Sequence, residues 1–224
     1  MIDLKYWIWF SNLNKIGNKM KQRLLEIYKE PEVIWNLNKE ELLQIEGMKE
    51  KMIEEIQEDA YRIDLEGQKE YMQKNGIGML NLYDKDYPKQ LKQLYDKPVC
   101  LYYIGDKTIL QEFSLAMIGC RKNTSYGETV ANYLAQELGK RNIITISGLA
   151  RGIDSITHMG SLKQQAKTIA VIGSGFKHIY PSENKGLAKQ IVEAGGCILT
   201  EYGVNEKPER MHFPARNRII SGLS

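Results

Sequence analysis

Cysteine is scarce. The 224 residues hold three, Cys100, Cys120 and Cys197, odd in number and far apart. This excludes a disulfide framework, which needs more and closer cysteines, and a thiolate zinc site, which wants C-x-x-C pairs. Histidine is equally scarce, and His158, His178 and His212 lack ligand spacing, so no structural metal is expected. No apolar run reaches the length of a membrane span: the apolar start is interrupted by Asp3 and Lys5, and there is no cationic leader with a small-residue cleavage site. The chain therefore reads as cytoplasmic, without a membrane partner.

Negative charge is what the second half has little of. Residues 1–70 carry 11 Lys/Arg and 15 Asp/Glu, whereas residues 71–224 carry 20 and 13. The basic half is the candidate for an anionic partner. A hydrophobic share of 42% is that of a folded protein and excludes long disorder.

Two parts are expected. Residues 1–75 read as a small all-helical domain. Leu24, Leu25, Ile27 and Tyr28 fit one helical stripe; Leu42, Leu43 and Ile45 begin another, and Met52, Ile53 and Ile56 continue it. The glycines in Ile16-Gly17-Asn18 and Ile45-Glu46-Gly47-Met48 sit between short helices, as in helix-hairpin-helix or SAM-like units. The acidic surroundings, from Glu40 to Glu55, favour a packing or protein-interaction role over contact with phosphate. A linker with Asn75-Gly76 and Gly78 follows, then a short strand over Val99–Ile104.

Residues 76–224 are the second part. From Ser114 onward strands and helices alternate. Strands are expected at Leu115–Ile118, Ile143–Ile146, Thr168–Ile172 and Cys197–Thr200. Helices are expected at Tyr126–Lys140, with Val130, Leu134 and Leu138 on one face, at Ile153–Gln165 and at Asn184–Ala194. Short apolar strands between amphipathic helices indicate an α/β fold: a Rossmann-like parallel sheet with helices on both faces.

In such sheets ligands sit beyond the carboxyl ends of the strands. The first such end carries Arg121 and Lys122, followed by a Ser125–Glu128 capping box whose helix amides suit a phosphate. The second carries Ser147, Gly148 and Arg151, the third Gly173, Gly175, Phe176 and Lys177 with Tyr180 nearby. The fourth is followed by Glu201-Tyr202 and a loop holding Phe213, Arg216, Asn217 and Arg218. Four successive strand ends that supply glycine, a cation or both point to a phosphate-binding rim, with Phe176 or Tyr180 as a face on which a base can stack.

Enzyme motifs fit poorly. Gly173-Ser174-Gly175 lacks the third glycine of a dinucleotide fingerprint and follows the third strand, not the first; there is no Walker A lysine. No cofactor and no catalytic residue is expected. Ser147, Asp154 and His158 are not set in a nucleophile elbow, and Asp154 and His158, four apart, suit a local structural pair.

These loops carry a resemblance. Tyr87-Pro88, Leu101–Gly105, Ile118–Arg121, Ser147–Asp154, Gly173–Phe176, Tyr180-Pro181, Thr200–Tyr202 and Phe213–Ile220 with Gly222-Leu223-Ser224 together resemble the DprA/Smf DNA-processing family. The resemblance implies a non-catalytic cytoplasmic protein that binds single-stranded DNA in natural transformation, loads the RecA recombinase and forms homodimers. It maps the DNA pocket onto Arg121, Ser147, Gly148, Arg151, Gly175, Phe176, Lys177, Arg216, Asn217 and Arg218. It also implies further strands after Ser224, leaving Ile219, Ile220 and Leu223 as an abrupt apolar end. The competing class is a nucleotide-processing enzyme or nucleotide sensor of the LOG-type Rossmann group, whose enzymes use a P-G-G-x-G-T phosphate loop that this chain lacks.

Overall fold

A computed structural model describes residues 4–58 and 64–224; part of the expected helical stretch, 1–3 and 59–63, lies outside them. Six helices come first: α1 (Leu4–Ser11), α2 (Asn18–Tyr28), α3 (Pro31–Trp35), α4 (Lys39–Leu43), α5 (Glu50–Gln57) and α6 (Leu65–Lys74). Then come β1 (Gly78–Asn81), β2 (Cys100–Gly105), β3 (Ser114–Ala116), α7 (Ser125–Lys140), β4 (Ile144–Ser147) and α8 (Ile153–Lys163). The chain continues through β5 (Thr168–Val171), α9 (Lys185–Glu193), β6 (Cys197–Thr200) and α10 (His212–Leu223).

The strands form one sheet in the order β1-β2-β6-β5-β4-β3. β3 to β6 are parallel, whereas β2 joins β6 antiparallel and β1 joins β2 antiparallel. The sheet is thus mixed. β1 falls in the expected linker: Gly78 pairs with Tyr103, and a side chain at 78 would strike the Tyr103 ring. A glycine that looks like a breaker is here what lets two strands approach.

Alternation along the strands splits the core in two. Ile144, Ile146, Ile169, Val171, Cys197 and Leu199 face one side, where Ile219, Ile220 and Leu223 of α10 cover them. These three residues are almost fully buried, so they form a core stripe and not a loose end; each contributes about 1.5–3 kcal/mol by burial. Residues 213–218, expected as loop, begin α10, and Pro214 in its first turn is a helix-start signal.

The other side is covered by α7, α8 and α9, and by the N-terminal helices. Trp9, Phe10, Leu24, Ile34 and Ile53 share one apolar cluster with Cys100, Tyr102, Ala170 and Ile198 of the sheet. Two positions of the expected stripes face outward: Ile27 is 51% and Leu43 56% exposed.

α7 also turns differently from expectation. Its buried row is Ala131, Ala135 and Gly139, while Leu134 is exposed. The small residues win because α8 comes very close: a Cβ at Gly160 would lie 2.7 Å from the Ala135 Cβ. Close packing of two backbones excludes the larger side chain. Gly160→Val is expected to lower stability by more than the roughly 1–3 kcal/mol of ordinary overpacking, since backbone must move; urea melts of the two proteins measure this.

Candidate nucleic-acid interface

The candidate site is the carboxyl edge of the parallel strands. After β3, the chain turns through Gly119-Cys120-Arg121-Lys122 into α7. The cap of α7 is Thr124, whose side chain accepts from the Gly127 N–H at 3.1 Å; it lies one residue before the expected Ser125, and Ser125 is the first helical residue. Arg121 and Lys122 are exposed. The Arg121 guanidinium lies 5.1 Å from the centre of the Phe213 ring, and Phe213 sits 5.7 Å from the Tyr180 ring. No carboxylate among the described residues pairs with Arg121.

Around this cation and aromatic pair the surface is hollow. One hollow of about 510 Å³ is lined by Gly119, Arg121, Ala150, Asp154, Arg210, Phe213, Arg216 and Asn217. Another, of about 440 Å³, is lined by Arg121, Tyr180, Pro208, Arg210 and Phe213. Both open on the rim, and Gly148 and Arg151 join Arg121 and Tyr180 in a third, small recess.

The β4–α8 loop is held tightly beneath. Ser147 Oγ donates to the Met117 carbonyl at 2.6 Å, which ties β4 to the end of β3. Leu149 has φ +57°, a left-handed backbone uncommon for a branched residue and found where the surroundings impose it. Gly152 has φ +77°, and a Cβ there would meet the Cys120 carbonyl at 2.3 Å. Glycine is therefore required where this loop touches the Arg121 loop. Arg151 makes a two-point ion pair with Glu183, at 2.5 and 2.8 Å. Both partners are exposed, so water and competing anions reach the pair freely.

Arg216 does not stand on the rim but under it. It is 4% exposed. Its Nη1 donates to the carbonyls of Gly148 and Val171, and its guanidinium fills the place a side chain at 148 would need. Burial lowers its pKa and the neighbouring Arg121 lowers it further, while the buried Asp154 carboxylate opposes both; an arginine remains charged regardless. The site thus has a fixed positive charge below and a free one, Arg121, above.

The family model described as DNA recombination-mediator protein A matches residues 78–224. The chain belongs to that family. It is 43% identical over 150 residues to DNA processing protein DprA of Bacillus subtilis, covering 66% of this chain and 50% of that protein. The structure of DprA from Streptococcus pneumoniae superposes with a TM-score of 0.72 at 31% identity, covering 100% of this chain and 76% of that one. A Helicobacter pylori DprA structure, described by its single-stranded DNA binding mode, matches with a TM-score of 0.59 at 33% identity over 66% of each chain. The chain spans about half the length of the curated relatives it matches. Among the described residues no helix is long and apolar enough to cross a membrane.

Several residues singled out from the sequence lie elsewhere. Phe176 is 6% exposed and packs in the cluster shared with the N-terminal helices, so it offers no open face; the rings beside the hollows are Tyr180 and Phe213. Gly175 is packed against the carbonyls of Gly203 and Val204, and its N–H donates to Glu206 at 2.8 Å, which leaves it unavailable to a phosphate. Gly173 is buried against Phe213. Lys177 leans on Tyr71 of α6, 4.6 Å from its ring centre. Arg218 points away from the rim: it binds Glu201 through both Nη atoms at 2.6 Å and Asp96 through Nε at 2.9 Å. Arg121, Lys122, Arg151 and Asn217 are the expected residues exposed along this edge, with Ser147, Gly148 and Arg216 buried below them. Arg210 was missed. Its only signal was a cation just ahead of a helix start, which is faint.

Ser147, Asp154 and His158 form no triad, and Asp154 does not bond His158. His158 Nδ1 meets Thr168 Oγ1 at 2.8 Å, in a buried polar chain with Thr145 and Ser161. Asp154 instead accepts from the Ala150 N–H at 3.4 Å.

Burial, with help from Arg216, pushes the His158 pKa down to about 3. The folded protein therefore keeps this ring neutral where the unfolded chain, with an ordinary pKa near 6.5, takes up a proton. The resulting stability is fully present above pH 6.5 and is lost as pH falls toward 3, at up to about 1.4 kcal/mol per pH unit. The ¹⁵N shifts of the His158 ring at pH 5 are expected to be those of neutral imidazole; a ring that charges near pH 6 in the folded state contradicts this.

Proposed function

We propose that this chain binds single-stranded DNA along the carboxyl edge of its parallel strands, without catalysing a reaction. The observation that carries the reading is the exposed, carboxylate-free Arg121 stacked over Phe213, with Tyr180 and Arg210 around the same hollows. A guanidinium can fork two hydrogen bonds to a phosphodiester, and an aromatic face accepts any unstacked base. The Arg151–Glu183 pair opens easily, and phosphate then replaces the carboxylate on Arg151. A hollow lined by backbone and rings admits a flexible strand and excludes a stiff duplex.

Family membership supports the wider role: protecting and processing a single strand in transformation, in the cytoplasm, and handing it to a RecA-type recombinase, with a second copy of the chain as partner. The description of the family as recombination mediators and the Helicobacter pylori relative's binding of single-stranded DNA support this reading.

Arg121→Ala is expected to leave the melting temperature unchanged, to weaken binding of every sequence alike and to flatten log affinity against log salt by roughly 0.7, the share of one phosphate on a single strand. Arg121→Lys should recover the slope and only part of the affinity. Fluorescence anisotropy across a salt series reads both, and a wild-type slope in Arg121→Ala, or equal affinity of the wild type for matched duplex, refutes the assignment.

The two phenylalanines separate binding from folding. Phe213→Ala should cost about 1–3 kcal/mol of strand binding with a small change in melting. Phe176→Ala should cost about 3–5 kcal/mol of stability and leave the binding of the protein that remains folded near wild type. The reverse pattern would put the stacking face back on Phe176.

A further inference from the structure

The larger rim hollow, of about 510 Å³, holds a group that phosphate contacts do not explain. Asp154, the second residue of α8, borders it and is 5% exposed. A carboxylate repels phosphate, so a surface serving only the backbone of a strand would gain by lacking it. Its Oδ2 accepts the Ala150 N–H at a long 3.4 Å; its Oδ1 has no hydrogen-bond partner among the described residues. Arg216 borders the same hollow and is buried as well. It feels the Asp154 charge, but its Nη1 is spent on the Gly148 and Val171 carbonyls, and its Nε–H finds no acceptor among the described residues. Buried polar groups without partners are costly and rare. Here an open acceptor and an open donor border one hollow.

The chemistry of this pair distinguishes among the bases. An ionised carboxylate only accepts. Guanine is the one DNA base whose Watson–Crick edge carries two neighbouring donors, N1–H and N2–H, which meet the two oxygens of a carboxylate side by side. Next to them stands O6, an acceptor suited to a guanidinium N–H. Adenine, cytosine and thymine each set a single donor beside a ring-nitrogen or carbonyl acceptor, which the carboxylate repels. The hollow has the size of a small-molecule pocket, and the Phe213 ring on its wall offers the base an apolar face. Asp154 and Arg216 stand on two helices, α8 and α10, so their spacing is set before any ligand arrives.

We infer that this hollow selects guanine among the bases of the bound strand: Asp154 accepts N1–H and N2–H, and the Arg216 Nε–H donates to O6. The inference rests on the single-strand reading above and adds a sequence preference to it. The strand is held at two levels. Exposed Arg121 meets phosphate whatever the sequence, and the buried pair reads one base by its edge. A site built to hydrogen-bond a polar edge rejects an analogue that lacks it, because the groups of the site are then left unpaired.

The test uses the full chain and oligothymidylates that carry one central guanine, hypoxanthine, adenine or cytosine. Hypoxanthine keeps the N1–H and O6 of guanine and lacks only the N2 amino group. Fluorescence anisotropy at fixed salt is expected to show the guanine strand binding about tenfold more tightly than the hypoxanthine strand, and at least as much more tightly than the others. Asp154→Asn keeps one acceptor for Ala150 and turns the other into a donor. It should bring the guanine-to-hypoxanthine ratio close to one; a ratio taken within one protein does not depend on its stability or overall affinity. Equal wild-type affinity for the two strands overturns the assignment, and so does a ratio that survives Asp154→Asn. 2′-Deoxyguanosine, which has no phosphate, is titrated separately while the ¹H–¹⁵N signal of Ala150 is followed. That signal is expected to move with deoxyguanosine and much less with deoxyinosine; a signal moved by neither, or by both alike, overturns the guanine site. If no oligonucleotide binds and deoxyguanosine still moves Ala150, the single-strand reading has failed and the guanine site has not. If every strand binds equally, the guanine site has failed and the single-strand reading has not.

Discussion

The buried charge of Arg216 sets the arrangement of everything at the carboxyl edge of the sheet. A guanidinium removed from water must find acceptors, since an unpaired buried charge costs several kcal/mol. It finds them in the carbonyls of Gly148 and Val171, at the ends of β4 and β5. That single demand fixes the rotation of α10. Arg216 takes the first place of an inward row completed by Ile219, Ile220 and Leu223, the i, i+3, i+4, i+7 pattern of a buried stripe. With that row turned in, Phe213 and Asn217 face the rim, and Arg218 faces Glu201 and Asp96. The same demand explains Gly148, whose missing side chain is the space that the guanidinium occupies.

The rim depends on this support in a second way. Arg121 is held not by an ion pair but by a ring, and the ring is held by the first turn of α10. A free cation above a fixed one repels it, so Arg121 gains from any anion that settles between loop and helix. The buried arginine and the small-residue contact of α7 with α8 hold the frame, and the exposed side chains on short loops are left for the proposed ligand. This is the division expected where loops act on a rigid scaffold.

The helical layer is more than an appendage. Its apolar face completes the cluster over β2 and β6, Ser11 bonds Tyr102 at 2.6 Å, and Asn18 bonds Glu201 beside the strand end. Arg218, anchored by Glu201 and Asp96, closes the seam. Residues that looked from the sequence like further rim cations, Arg218 and Lys177, serve this junction instead.

Much was legible from the chain alone. Alternating short apolar strands and amphipathic helices dictate an α/β sheet, because each strand must be covered on both faces. The order of the loops placed Arg121, Gly148, Arg151 and Asn217 at one edge, because parallel strands bring their carboxyl ends together whatever the details. What the chain could not show is direction. Periodicity says that a residue is near an edge, not whether it points up to solvent or down to the core. Phe176 and Phe213 look alike in sequence, yet one is packed beneath the N-terminal helices and the other is half-buried at the edge beside Arg121, because burial is decided by neighbours distant along the chain. Likewise a lone arginine does not announce its partner. Arg121, Arg151, Arg216 and Arg218 were equal candidates until tertiary packing gave Arg151 to Glu183, Arg216 to two carbonyls and Arg218 to Glu201, and left Arg121 without a carboxylate.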